Sequence, residues 1–167
     1  MFIYSVRASS IKFFLLVGAT LLLLIVLVSM SGAETVPVSV GGVEVDYGGM
    51  KSNEDRVKFI EGLGVMVKDT PVTEEVFRAP ESFDRVIAGY NELQKSQGLD
   101  LSKYTKKRIT HYAYEVENYD YDGRVLVNLL VYKNRIIACD VSSADGQGFV
   151  SPLVGLDTSK LKPGGAA

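Results

Sequence analysis

Residues 124–133 read RVLVNLLVYK, and they decide the fold. Val125, Val127, Leu129 and Val131 alternate with Leu126, Leu130 and Tyr132, so apolar side chains fall on both faces at the strand period of two. An antiparallel strand with one wet face alternates apolar with polar. This one does not, which predicts a central strand covered on both sides. The period of two extends to its neighbours, predicting strands over about 107–117 and 135–142, with turns at Asn118–Gly123 and Lys133-Asn134.

Upstream the period lengthens. Phe83, Val86, Ile87, Tyr90 and Leu93 recur at helical spacing between Pro80, suited to a first helical position, and Gly98, a natural stop. Glu81 and Asp84 at the start and Lys95 near the end match the helix dipole. A second helix is predicted from Ser52, whose hydroxyl precedes Glu54 and Asp55 in the manner of a cap. Val57, Phe59, Ile60 and Leu63 form its apolar face, and Gly64 ends it. Val65–Val67 and Val72–Phe77 read as short strands around the Asp69-Thr70-Pro71 turn. The expected fold is α+β: an antiparallel sheet of about five strands with two helices, in the order α-β-β-α-β-β-β, spanning 52–156.

Before this domain, residues 34–51 carry Gly41, Gly42, Gly48, Gly49 and one proline and read as a linker. Alternating valines there allow a small hairpin, but an isolated hairpin is marginal in water. Residues 157–167 read as a disordered tail.

Phe13 to Met30 holds no charge and no proline. Taken with Ser31–Ala33 as a helix it would be about 30 Å long, the thickness of a bilayer core, so 13–33 is expected to be a transmembrane helix. Arg7 and Lys12 lie in the flank 1–12, which places the N-terminus inside and the domain outside the cell membrane, as a single-pass protein. Ser31-Gly32-Ala33 resembles a signal cleavage site, but the apolar run exceeds the usual signal core of about 7–15 residues.

Of 18 basic residues only Arg7 and Lys12 precede Ala33, so the 16 that follow face 20 acidic ones, a net charge of −4. That balance argues against nucleic acid as a partner. The one cysteine, Cys139, excludes an internal disulfide.

The runs NEDRVKFI (53–60), YNELQKSQGLDL (90–101) and YAYEVENY (112–119), with Phe83-Asp84, resemble the family called domain of unknown function 4830, across about residues 53–155. Those proteins come mainly from Gram-positive bacteria and typically carry one N-terminal membrane segment. The resemblance implies topology and domain extent, and it brings no activity and no catalytic residue.

Candidate sites are few. Lys103, Lys106, Lys107 and Arg108, with Tyr104 among them, form the main basic cluster. Of these Lys103, Tyr104, Lys106 and Arg108 are the candidate residues for an anionic ligand, such as a wall polymer or an acidic partner. Nearby Asn91, Gln94, Gln97 and Asp100 offer either a polar patch or helix-end packing. His111 and Cys139 would need to meet to make a thiol dyad. Asn118, Asp120, Asp122 and Gly123 match part of a calcium loop, but Leu129 falls where its bidentate glutamate belongs, and a hairpin turn explains the same residues. No catalytic residue, metal set or cofactor motif is assembled. The expectation is a membrane-anchored extracytoplasmic module that binds or senses an envelope protein or polymer. The alternatives are an accessory subunit of a membrane complex, or a thiol- or carboxylate-dependent enzyme.

Overall fold

The structure, a computed structural model, describes residues 37–40, 43–145 and 148–162. At its centre lies the strand read above, here β5 (Val125–Tyr132). It pairs on one side with β4 (Arg108–Glu115) and on the other with β6 (Arg135–Ser143). β3 (Thr73–Arg78) and β7 (Val150–Pro152) complete an antiparallel meander in the order β3-β4-β5-β6-β7. Lys133 and Asn134 both take positive φ, 48° and 61°, the two-residue turn whose twist suits a tight β5–β6 hairpin. A hairpin of β1 (Val38–Val40) and β2 (Val43–Val45) stands apart from this sheet.

Helix α1 (Asn53–Glu61) begins with the capping box foreseen: Ser52 Oγ accepts from Asp55 N, and the Asp55 carboxylate accepts from Ser52 N. It buries Val57 and Ile60 against one sheet face, where Val127, Leu129, Cys139 and Val141 are solvent-free. Arg56 is buried with them, its guanidinium 3.7 Å from the Tyr112 ring centroid and its Nε donating to Tyr114 Oη. Helix α2 (Arg85–Lys95), capped by Asp84 accepting from Ile87 N, serves the other face. There Phe83 and Tyr90 join Ile109, Leu130, Ile137 and Ala138 in a smaller cluster.

Several expectations are corrected. Val65–Val67 forms no strand: Val67 makes an isolated bridge to Val116, and the fifth strand is β7. The apolar stripe of α2 is covered only in part: Phe83, Ile87, Tyr90 and Leu93 are half-buried. Val86 is 79 % exposed, while Asn91 and Gln94 face inward, because these amides find backbone partners that an apolar side chain could not satisfy. Residues 43–50 are no free linker, since Val45, Tyr47 and Met50 are buried in the main core. The expected tail is tied at 160–162, where Leu161 bridges Tyr119 and Lys162 N donates to Asn118 O. β5 is central as foreseen, but only its odd-numbered residues are fully buried; Leu126, Asn128, Leu130 and Tyr132 are half-buried, because α2 covers only part of their face. Among the described residues no helix is long and apolar enough to cross a membrane, and Phe13–Met30 lies outside them.

The outer edge of β6 shows how these pieces fit. Its backbone is met in turn by the 47–50 segment (Ile136 N to Tyr47 O, Met50 N to Asn134 O), by two glutamine side chains, and by β7. Gln94 Oε1 accepts from Cys139 N and Gln97 Nε2 donates to Cys139 O, both at 2.9 Å. A side-chain amide carries the same donor and acceptor as a peptide, so these two continue the ladder where β7 stops. Gln97 Oε1 also accepts from Val154 N, and Tyr47 Oη donates to Gln97 O. The amide-rich run is thus packing between helix end and sheet edge.

Candidate functional site

The face under α2 carries an arrangement that combines a cavity with linked polar groups. Phe77, Ile109 and Leu130 from the sheet, with Phe83, Ile87 and Tyr90 from the helix side, line an apolar pocket of about 170 Å³. The pocket exists because α2 is held off the sheet by the Phe83 and Tyr90 rings while its C-terminal half is drawn to the β6 edge by Gln94. A wider groove of about 310 Å³ lies beside α1, lined by Asn53, Glu54, Lys58, Glu61 and Asp69. It sets charges of both signs around Val57, whereas the smaller pocket is walled almost wholly by apolar side chains and is the better-formed site.

Beside the pocket, five polar side chains form a linked set across β4, β5, β6 and α2. Tyr90 Oη donates to Asp140 Oδ2 at 2.7 Å. Asn128 Nδ2 donates to Asp140 Oδ1 and to Ser142 Oγ, each at 2.9 Å. Asn128 Oδ1 is therefore an acceptor, and His111 Nε2, 3.0 Å away, is its donor. Period two puts all of them on one face: His111 pairs with Leu130 in register, and Asn128 pairs with Asp140. Asp140 is 4 % exposed, and this burial raises its carboxyl above the ordinary range against the lowering effect of its bonds to Tyr90, Asn128 and Ser142. Burial and the neighbouring Asp140 in turn hold the Tyr90 phenol protonated.

The residues proposed from sequence take the following places. Lys103 and Tyr104 lie in a 3₁₀ turn, Leu101–Tyr104, whose Leu101 closes one end of the pocket. Tyr104 packs edge-on against Tyr132 at 5.7 Å. Lys106 is in the left-handed region at φ 60°, with its N–H on Ala79 O and its ammonium paired with Glu81. Ala79 and Pro80 line the pocket, and Lys106 N donates to both their carbonyls, so the basic cluster is joined to the pocket through the backbone. Lys103 lies 4.0 Å from Asp100, whose carboxyl is held at about 2 by Ser102 and Asn91. Lys107 and Arg108 are exposed, with no ion pair among the described residues.

His111 and Cys139 do not meet. The ladder puts Cys139 on the α1 face and His111 on the α2 face, and complete burial pushes the thiol far up. In the 118–123 turn, Asn118 Oδ1 accepts from Met66 N, its Nδ2 donates to Gly64 O, and Asp120 pairs with Lys162. These bonds tie down the turn, and among the described residues no acid, histidine or cysteine cluster is arranged to hold a metal.

Sequence reading missed Tyr90, Asn128 and Asp140 as a linked set. The signal was present: Asn128 and Asp140 are lone polar residues in runs otherwise as apolar as VLVNLLV and IIACDV. A polar group in such a strand must be hydrogen-bonded, and at period two both fall on one face.

Residues 63–141 match the family model described as Domain of unknown function (DUF4830), a span from just after α1 into β6 that contains the pocket and, save Ser142, the polar set. No curated protein and no solved structure matches the chain.

Proposed function

We propose that this chain is a non-enzymatic binding or sensing module of the bacterial cell envelope. Residues 13–33 would hold it in the cell membrane with the domain outside, and its partner is an envelope protein or polymer. The observation that carries this reading is the apolar pocket under α2, with the basic segment 103–108 bonded through Lys106 N to its lining residues Ala79 and Pro80. A cavity of about 150 Å³ accepts one benzene-sized group, so this pocket suits a single aromatic ring or short branched alkyl group. Exposed Lys107, one residue before the strand and in phase with Ile109, favours a negative charge beside that group. The tether rests on the charge-free run Phe13–Met30 with Arg7 and Lys12 before it.

The test uses the full-length chain in lipid nanodiscs with p-toluenesulfonate as probe and p-methylbenzylammonium as its cationic counterpart. The sulfonate is expected to shift the methyl resonances of Ile87, Ile109 and Leu130 saturably and to bind at least about threefold more tightly than the ammonium. Ala79→Leu, which enlarges a lining side chain, should abolish the shifts. Binding that leaves those methyls unmoved would remove the pocket from the reading. A second reading, an accessory subunit, is favoured by the half-exposed row Leu126, Leu130 and Tyr132. Co-purification of a membrane partner that depends on Leu126 and Tyr132, and not on Ala79, would support it.

A further inference from the structure

The two edges of the sheet are treated differently. The β6 edge is closed by residues 47–50, by Gln94 and Gln97, and by β7. The opposite edge, β3, has β4 on one side and no strand on the other among the described residues. Ala79 N donates to Lys107 O, in the same register as the β3–β4 ladder, and Val116 N donates to Val125 O on the far side of β4. By the alternation of an antiparallel ladder, odd residues of β3 bond to β4. The N–H and C=O groups of Glu74, Val76 and Arg78 therefore point outward.

The same three residues project their side chains from the α1 face and are all exposed, Val76 at 54 %. Glu74 and Arg78 have no ion pair among the described residues; Arg78 Nε donates only to the backbone of Lys106. Four residues apart on one extended strand they stand about 13 Å from each other, too far to pair within the chain.

We infer that β3 is a self-complementary edge through which two copies of this chain pair antiparallel about a two-fold axis at Val76. In this register Val76 faces its own copy and Glu74 faces Arg78 of the second copy, twice by symmetry. All three are positions whose backbone groups point outward, so the ladder hydrogen bonds and the side-chain pairs coincide. Glu75 then stands opposite Phe77, whose ring lines the pocket on the other face. Neighbouring registers are worse. Sliding by two residues one way sets Glu75 against Glu75, and sliding the other way brings in Pro80, which has no N–H for a ladder. Charges on an edge commonly serve to repel a neighbouring strand. Here their order, acid then base about an apolar centre, repels other registers and favours one. Pairing joins two five-stranded sheets into a continuous sheet of isologous symmetry.

The test uses the full-length chain in detergent. Val76→Cys should form a disulfide-linked dimer under mild oxidation, because hydrogen-bonded partners sit about 5.5 Å apart at Cα, within disulfide reach. The wild-type chain, whose only thiol is buried, and Met66→Cys, exposed elsewhere, should not. In the Val76→Cys background, Glu74→Arg or Arg78→Glu should slow cross-linking about tenfold, and the double exchange should restore it to within about threefold. Cross-linking of Val76→Cys no faster than Met66→Cys overturns the proposal. So does a double exchange no better than either single change, and so does linkage in cells to a different protein in place of a second copy.

Discussion

Leu129 and Leu130 are neighbours in one strand, yet they belong to differently built halves of the molecule. Leu129 is wholly buried on the α1 face, where the core takes in β4, β5, β6, α1 and residues from both flanking segments. Leu130 is half-buried on the α2 face, beside a pocket and a line of hydrogen-bonded polar groups. The first face is closed because several segments converge on it. The second is open because one helix, held off by two aromatic rings, covers only part. Stability resides chiefly in the first face, and the pocket on which the proposed binding function rests lies in the second.

The largest expected effect separates the two leucines. Leu129→Ala should cost about 3 kcal/mol in urea unfolding, as a cavity in a packed core does. Leu130→Ala should cost about 1 kcal/mol, because its site is already partly solvated. Equal losses would mean that the two faces are equally closed. Next comes the edge that joins them. Gln97→Ala leaves Cys139 O and Val154 N without their partner and should cost about 2 kcal/mol by the same measurement. A loss near zero would show that water replaces the amide there.

The third prediction concerns pH. Burial raises the Asp140 carboxyl, so the fold favours its protonated form. That contribution is complete below the ordinary carboxylate pKa of about 4 and is lost as pH rises through the folded value. Asp100 acts in the opposite sense: held at about 2 by Ser102 and Asn91, it stabilises above the ordinary value and fails as pH falls. Comparing wild type with Asp140→Asn cancels Asp100. The wild type should gain on the variant as pH is lowered from about 7 to about 4. A difference that stays flat over that range would place the carboxyl in water. The smallest effect is expected at Val86→Ser, within about 0.5 kcal/mol, since a side chain this exposed has little packing to lose. A larger loss would mean that Val86 is covered like the rest of the apolar stripe.

Much of this architecture was legible in the chain. The switch from helical to strand period between Leu93 and Lys107, the Ser52 cap and the Lys133-Asn134 turn each act within a few residues, where backbone geometry alone sets the pattern. The basic segment beside the pocket was likewise visible, though not the pocket it adjoins. What stayed hidden was which side chains α2 buries. Phe83, Ile87, Tyr90 and Leu93 of its apolar stripe are half-buried, but Val86 is left in solvent while Gln94 and Gln97 take buried places at their long-range partners.

The sequence by itself determined the three long strands β4, β5 and β6, the two helices, the Ser52 cap, the Lys133-Asn134 turn and the α+β class, because these depend on spacings of two to four residues. Tertiary structure decided which face is closed, how Tyr90, Asn128 and Asp140 are joined, and which edge of the sheet is left open. Those outcomes rest on contacts such as Gln97 to Val154, 57 residues apart, and no local spacing encodes which distant backbone group will need a partner.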